Sequence, residues 1–209
     1  MRMGIFAAFA LGMAVAGCAS AGEAAGNAAA LEAALSDLRA GGNIIVLRHA
    51  TSPSDQIAPA GMTAGCTLAP GRGLSAQGFY EARFIGEWFA GNGVKIDKTY
   101  TSDLCRSFDT ARLVAAAGNG PVIPRAEMKS DDPKVAGAFK AALEAELAAA
   151  PGMNILLVSH SNIVPLYWSG PLEGEEETPS GRIHIVREGK TVRIDVNPSV
   201  RAAPAIAGE

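Results

Sequence analysis

Two of the three histidines follow apolar stretches that read as buried strands, and arginine accompanies the first of them. Arg48 and His49 come directly after the run 43–47, and His160 comes just after the run 154–158. A guanidinium group matches the geometry of phosphate oxygens, and an imidazole can attack phosphorus when the attacking nitrogen is neutral. Neighbouring guanidinium charge lowers the pKa of an imidazole and so favours the neutral form. These residue types indicate phosphoryl chemistry.

A third candidate segment, 102–111, contains Arg106 at a predicted strand-to-helix junction. Free backbone N–H groups at the start of a helix favour an anion there. Taken singly, each pattern also has a structural interpretation, because Arg106 can pair with Asp103 or Asp109 on a surface helix. A histidine after a strand is likewise often a hydrogen-bonded structural residue.

The elements that must position these residues alternate between strands and helices. Periodicity and turn residues predict helices over 28–40, 75–90, 105–117 and 134–150, and strands over 43–47, 98–101, 121–123 and 154–158. A further short helix after His160 and a terminal hairpin over 182–187 and 191–196 complete the predicted elements. This order predicts an α/β fold, a three-layer sandwich with a largely parallel central sheet and helices on both faces. Ligands bind at the carboxyl ends of the strands in such sheets, where both predicted histidine positions fall.

The motifs together resemble the histidine phosphatase superfamily, whose fold is called phosphoglycerate-mutase-like. The similarity covers nearly all of the chain after its N-terminal segment and includes four motifs of that family: R-H-G at 48–50 with Ala50 in place of Gly, L-S-x-x-G-x-x-x-A at 74–82, S-x-x-x-R-x-x-x-T-A at 102–111, and H-G at 160–161 with Ser161 in place of Gly. Both departures replace one small residue with another.

The resemblance implies a role for each matched residue. His49 is the expected nucleophile, and Arg48, Arg106 and His160 are expected to hold the phosphoryl oxygens. The implied reaction hydrolyses a small phosphomonoester through a phosphohistidine, without a metal or cofactor. Arg72 is a candidate for a further phosphate donor, with a solvated loop arginine as the alternative.

The leaving alcohol needs a proton, which an Asp or Glu usually supplies in this superfamily. Glu127 is our choice because it follows the short predicted strand 121–123, where one branch of the family keeps a glutamate. Three loop carboxylates stay open as alternatives: Asp55, Asp131 and Asp132. The His-Asp pair of the phytase-like branch is missing, because Ser161 follows His160.

The N-terminal segment resembles a bacterial lipoprotein signal. Arg2 precedes the uncharged apolar run 4–16, and 15–18 resembles a lipobox that ends in Cys18. We therefore expect a signal peptide over 1–17, a lipidated Cys18 with a tether over 18–27, and one domain over 28–209. The alternative is an ordinary signal peptide with a coincidental cysteine. No aspartate follows Cys18 directly, so the expected address is the periplasmic side of a bacterial envelope, at the outer membrane.

If Cys18 carries lipid, Cys66 and Cys105 are left as a pair outside the cytosol, and we expect a disulfide between them. Two unpaired buried thiols are the alternative. His184 alternates with apolar residues of the hairpin and is expected to be an exposed strand residue. No short metal-ligand spacing occurs among the histidines and cysteines, so no metal site is expected.

The charge distribution limits the partners further. The net charge is −3 and the basic residues are scattered, so a nucleic-acid surface is not expected. A small phosphoester and, through Cys18, a membrane are the expected partners. A phosphomutase and a catalytically silent, lipid-anchored anion-binding protein are the alternative functions. Nothing in the sequence indicates the oligomeric state or the identity of the phosphoester.

Overall fold

A computed structural model gives the fold and describes residues 19–53, 72–117, 120–168, 182–187 and 190–196. The chain divides into two compact units, 1–33 and 34–209. In the first unit, the described residues 19–33 belong to a helix. All of the sheet, and every other helix of the described part, belongs to the second unit.

The described residues form six strands, five α-helices and one short 3-10 helix. The helices are α1 (Ala19–Ala40), α2 (Ala76–Gly91), α3 (Cys105–Ala115), α4 (Pro133–Ala149) and α5 (Val164–Tyr167), with the 3-10 helix at Ala126–Lys129. The strands are β1 (Asn43–Arg48), β2 (Lys98–Thr101), β3 (Val122–Pro124), β4 (Asn154–Ser159), β5 (Arg182–Arg187) and β6 (Lys190–Asp195). Each predicted strand is confirmed with bounds that differ by one residue at most, and only the 3-10 helix was not predicted.

The sheet has the order β3-β2-β4-β1-β5-β6, and its first four strands are parallel. Strand β5 runs antiparallel to β1 and forms the predicted hairpin with β6. In the register of the sheet, Arg48 of β1 lies beside Ser159 of β4, and Thr101 of β2 lies beside Val158. The carboxyl ends of β1, β2 and β4 therefore meet at one edge, so the residues that follow these strands come together.

Side chains of β1 alternate between two hydrophobic cores, one on each face of the sheet. Ile45 and Leu47 pack in a cluster with residues from α1, α2 and α3. Ile44 and Val46 pack in a second cluster with residues from α4 and α5. Burial on both faces explains why β1 and β4 are continuous apolar runs rather than alternating ones. The predicted three-layer architecture is confirmed.

The main difference from prediction lies at the start of α1, which begins at Ala19 rather than at residue 28. The intervening segment, predicted as a tether, is rich in alanine, the residue with the highest helix propensity. Among the described residues, no helix has both the length and the apolar character needed to cross a membrane. Residues 1–17 and Cys18 lie outside the described residues, so the signal peptide, the lipid anchor and the domain limits stay predictions.

Candidate active site

His49 is held immediately after β1 by bonds on its backbone and on its ring. Its backbone N–H donates to the carbonyl of Ser159 at 2.8 Å, which extends the pairing with β4. Ring atom Nδ1 lies 2.7 Å from the carbonyl oxygen of Ala50, and Arg106 Nε lies 3.0 Å from Nε2. Since a carbonyl only accepts and a guanidinium only donates, the proton is on Nδ1 and Nε2 presents a lone pair. His49 therefore has the tautomer that a nucleophilic Nε2 requires.

The neutral state of His49 follows from its surroundings. Its side chain is only 5% exposed. Burial is the largest cause that lowers the pKa of His49 to about 3, and the charges of Arg106, His160 and Arg48 lower it further, against the raising effect of the bond to Ala50. The imidazole is thus uncharged at neutral pH, with its lone pair intact.

The position of Ala50, directly after the nucleophile candidate, is set from α3. The Ala50 N–H donates to Thr110 Oγ1 at 3.0 Å, and the Thr110 hydroxyl donates to the carbonyl of Arg106 at 2.7 Å. Ala50 and Thr110 are both fully buried. Thr110 of the S-x-x-x-R-x-x-x-T-A motif therefore connects the end of β1 to the helix that carries Arg106.

Thr51 is held in turn by the N-terminus of α2. Ser75 caps the helix by accepting from the Gly78 N–H at 3.0 Å, as predicted, and its own N–H donates to the Thr51 carbonyl at 3.0 Å. The buried carboxylate of Glu81 accepts from the Thr51 N–H at 2.8 Å and from the Thr51 hydroxyl at 2.9 Å. A Cβ on Gly78 would lie 2.0 Å from the Thr51 carbonyl oxygen, so only glycine permits this approach.

His160 lies across the sheet edge from His49, with ring centroids 5.4 Å apart and an angle of 63° between the rings. Its Nε2 is 3.0 Å from Ser102 Oγ and 3.5 Å from Ser107 Oγ. Its Nδ1 is buried without a hydrogen-bond partner among the described residues. The structure therefore brings His49, His160 and Arg106 together, although 111 residues separate the two histidines in sequence.

Positive charge surrounds His160 as well. Burial is the largest cause that lowers the pKa of His160 to about 4, followed by the charges of Arg106, Arg48 and Arg72, while Asp103 acts in the opposite direction. Arg48, Arg106 and Arg72 thus all act on the same imidazole. Three guanidinium groups around two neutral imidazoles make this edge of the sheet suited to an anion.

Arg72 lies near this edge through contacts with the chain after β1. Its Nε donates to Ser52 Oγ at 3.1 Å, and the Ser52 hydroxyl donates to the Gly73 carbonyl at 2.7 Å. Together with its effect on the pKa of His160, this places Arg72 among the charged residues of the site. A direct contact of Arg72 with substrate stays a prediction.

Glu127, our choice for the proton donor, forms an ion pair in the 3-10 helix. Arg125 donates to its two carboxylate oxygens at 2.7 Å and 3.2 Å. These hydrogen bonds are the largest cause that lowers the pKa of Glu127. The carboxylate is therefore charged in this arrangement, and it must lose Arg125 or gain an anionic neighbour before it can hold a proton. The assignment of Glu127 stays a prediction.

Two of the other three candidate carboxylates lie in the described part of the chain, and the third lies outside it. Asp132 accepts from the Lys134 N–H at 2.8 Å and caps α4, which gives it a structural role. Asp131 is exposed beside it, and Asp55 lies outside the described residues. None of the three gains support as a proton donor from the described contacts.

Cys105 begins α3 directly before Arg106 and is fully buried. Cys66 lies outside the described residues, so the predicted pairing of Cys66 with Cys105 stays a prediction. The side chain of His184 is also outside the described part, although its backbone is in β5 as expected.

Part of the chain matches the model of a known protein family. Residues 44–130 match the histidine phosphatase superfamily, branch 1. The matched segment runs from β1 through the 3-10 helix, so it contains His49, Arg106 and Glu127 but not His160. No curated protein matches the chain in sequence.

Solved structures of histidine phosphatase type share the fold. The protein histidine phosphatase SixA in complex with tungstate has 20% sequence identity and a TM-score of 0.55 over 76% of this chain and 99% of its own. A protein from Agrobacterium tumefaciens, provisionally named phosphohistidine phosphatase SixA, has 19% identity and a TM-score of 0.53 over 73% and 95%. An Escherichia coli protein, provisionally named α-ribazole-5′-P phosphatase, has 18% identity and a TM-score of 0.52 over 74% and 96%. At these identities, the likeness establishes the fold.

Sequence reasoning matched Ser102 and Thr110 only as members of a motif and assigned no role to the residues that hold the site in place: Thr51, Glu81, Ser102, Ser107 and Thr110. One signal could have revealed Glu81, because it falls on the same helix face as the buried residues Ala82, Phe84 and Ile85 of α2 without being apolar. A buried carboxylate needs donors, and the chain after His49 supplies them.

Proposed function

We propose that the chain is a member of the histidine phosphatase superfamily that hydrolyses phosphomonoesters through a phosphohistidine on His49. One observation carries this proposal: a buried, neutral imidazole, with its proton on Nδ1, presents its Nε2 lone pair to the guanidinium of Arg106. An attacking nitrogen and an anion-binding group are therefore in direct contact. The match to the superfamily over 44–130 supports the same chemistry.

In the proposed reaction, Arg48, Arg106 and His160 bind the phosphoryl oxygens of the substrate. His49 Nε2 attacks phosphorus, a P–N bond forms, and the P–O bond to the alcohol breaks. The alcohol leaves with a proton from a carboxylic acid, for which Glu127 is our candidate. Water then attacks the phosphohistidine, which releases inorganic phosphate and restores the neutral imidazole.

The positive charge of the site acts mainly on the transition state. Negative charge on the transferring group spreads over its equatorial oxygens, and fixed donors in a buried site stabilise it without reorganisation. Because His49 is already deprotonated at Nε2 at neutral pH, no general base is needed to activate it. The charge of the arginines therefore has two effects: it keeps the imidazole neutral, and it binds the anion.

Kinetics of Arg106→Ala test the proposal with a chromogenic phosphoester. We expect kcat to fall by roughly 10²–10³-fold, the usual loss for one donor to a developing charge. Arg83→Ala is a matched control, because Arg83 is an exposed arginine of α2 paired with Glu87. Near-normal turnover in Arg106→Ala would show that the assignment is wrong.

A trapping experiment separates the enzyme from a silent anion-binding protein of the same fold. Rapid quenching with a phosphoester labelled at phosphorus should give an acid-labile, base-stable label on the wild-type chain and none on His49→Ala. A binding protein would take up inorganic phosphate without either label or turnover. A phosphomutase would instead transfer the label to a second alcohol rather than to water.

We further propose that the protein is exported and anchored through Cys18 on the periplasmic side of the envelope. The proposal is supported by the lipobox-like residues 15–18. When the full chain is expressed in a bacterium, it should fractionate with membranes, and Cys18→Ser should release it or block its processing. Cys18→Ser protein that stays equally in the membrane fraction, with the same processing, would refute the anchor.

A further inference from the structure

His160 has two ring nitrogens with different surroundings. Nε2 lies within hydrogen-bonding reach of Ser102 Oγ, whereas Nδ1 is buried and has no hydrogen-bond partner among the described residues. The whole residue is only 7% exposed. Since buried polar atoms are nearly always paired, an unpaired Nδ1 beside three arginines indicates a place for a hydrogen-bond partner that the described residues do not provide.

The hydroxyl of Ser102 is held in a fixed position. Its oxygen accepts from the Leu104 N–H at 3.1 Å, and the Ser102 N–H donates to the Val158 carbonyl at 3.2 Å. Ser102 is fully buried. With one lone pair bound to Leu104, the hydroxyl still has its proton to donate, and Nε2 of His160 lies 3.0 Å away.

We propose that Ser102 donates its hydroxyl to His160 Nε2 and thereby places the ring proton on Nδ1, so that Nδ1–H is the atom that binds a phosphoryl oxygen. The second half of this inference rests on the proposed function. Ser102 is a positioning residue, because it acts on the substrate through His160.

The chemistry of the ligand excludes the other tautomer. A neutral imidazole carries one ring proton, and the low pKa of His160 keeps it neutral at pH 7. A phosphoryl oxygen only accepts hydrogen bonds, so a lone pair on Nδ1 would repel it. The same proton placement on the two histidines then has two different results: His49 presents a lone pair at Nε2, and His160 presents a donor at Nδ1.

Nitrogen NMR of the full chain labelled with ¹⁵N-histidine reads the tautomer directly, because protonated and unprotonated ring nitrogens have well-separated shifts. His160→Gln and His184→Gln assign the signals. In the wild type at pH 7 we expect His160 with a protonated Nδ1 and an unprotonated Nε2. A protonated Nε2 would overturn the inference, whatever the activity of the protein.

Three serine variants test the role of the hydroxyl. Ser102→Ala should give a mixture of tautomers at His160, while Ser107→Ala, at the longer contact of 3.5 Å, should keep the wild-type tautomer. An unchanged tautomer in folded Ser102→Ala would overturn the role of Ser102. Ser102→Thr keeps a hydroxyl and should keep the tautomer, which covers the case in which the alanine variant does not fold.

Titration with inorganic phosphate tests the ligand half. Phosphate should shift the His160 Nδ1 signal, and Ser102→Ala should weaken phosphate binding by roughly tenfold, as expected for one oriented hydrogen bond. If His160 has the expected tautomer but phosphate does not bind, the ligand half fails together with the proposed function. If phosphate binds and is turned over while His160 carries its proton on Nε2, only the present inference fails.

Discussion

Thr110→Val should destabilise the fold and impair the site, although it leaves the shape of the side chain almost unchanged. The substitution removes the acceptor of the Ala50 N–H, which is fully buried, and the donor to the Arg106 carbonyl. A buried N–H left without a partner costs about 1–3 kcal/mol of the free energy of unfolding. For a domain of this size, 2 kcal/mol lowers Tm by about 4–8 °C.

A second buried threonine provides a matched control, for which we expect a change of opposite sign in the free energy of unfolding. Thr99 of β2 is also fully buried, but its Oγ1 has no hydrogen-bond partner among the described residues. Thr99→Val therefore removes a desolvated hydroxyl without breaking a bond, and we expect it to be neutral or to stabilise the fold. Urea unfolding of both variants, followed by circular dichroism, gives the two free energies on one scale.

The effect of Thr110→Val on catalysis follows from the same contacts. The Ala50 carbonyl holds the Nδ1–H of His49, so a displaced Ala50 misorients the nucleophile. We expect kcat for a chromogenic phosphoester to fall at least roughly tenfold, because small displacements of reacting groups are costly. If Thr110→Val were as stable as Thr99→Val and turned over normally, the link from α3 to the end of β1 would have no energetic role.

Three further predictions concern helix contacts, acid and reductant. Gly78→Ala should cost at least about 2 kcal/mol, because its Cβ meets the Thr51 backbone, whereas Gly137→Ala in α4, with nothing within 4 Å, should be neutral or stabilising. Stability should fall as pH drops from about 6.5 towards 4, by up to about 1.4 kcal/mol per pH unit for each of His49 and His160. The reason is that these histidines bind protons in the unfolded chain at pH values where they stay neutral in the folded chain. Reductant should lower Tm if the predicted disulfide between Cys66 and Cys105 is present, because opening it frees the unfolded chain from a cross-link.

Each of these predictions has a clear contrary result. Equal Tm values for Gly78→Ala and Gly137→Ala would contradict the close approach of α2 to Thr51. A flat stability profile between pH 6.5 and 4, or an unaltered acid response in the double variant His49→Gln/His160→Gln, would contradict the burial of neutral imidazoles. A melting temperature that reductant does not change would remove any stabilising role of the disulfide.

The α/β architecture and the convergence of the site could be predicted because they depend on periodic, local features. The runs in β1 and β4 are apolar at every position, which indicates burial on both faces, and Ser75 is a recognisable N-cap. Once these strands are taken as parallel, His49 and His160 must end at the same edge. The position of the site therefore followed from strand pattern and topology.

Most of the supporting contacts could not be predicted, because they depend on partners far away in sequence or on local turns without a sequence signal. Glu81 reads as a solvated helix residue until Thr51, which it binds, is known to lie against α2. The ion pair that keeps Glu127 charged involves Arg125, two positions away, and depends on a 3-10 turn with no clear sequence signal. Alanine-rich segments such as the start of α1 suit both a helix and a tether, so composition does not decide between them.

The hydrogen bond from Arg106 to His49 has a consequence for the resting state of the protein. A neutral imidazole has a single lone pair in the ring plane, and here the guanidinium already occupies it. In the proposed reaction, Arg106 must leave Nε2 before the bond to phosphorus forms, and an incoming anion gives the guanidinium a charged partner instead. In that reaction, the contact with Arg106 blocks the attacking nitrogen of His49 until substrate binds.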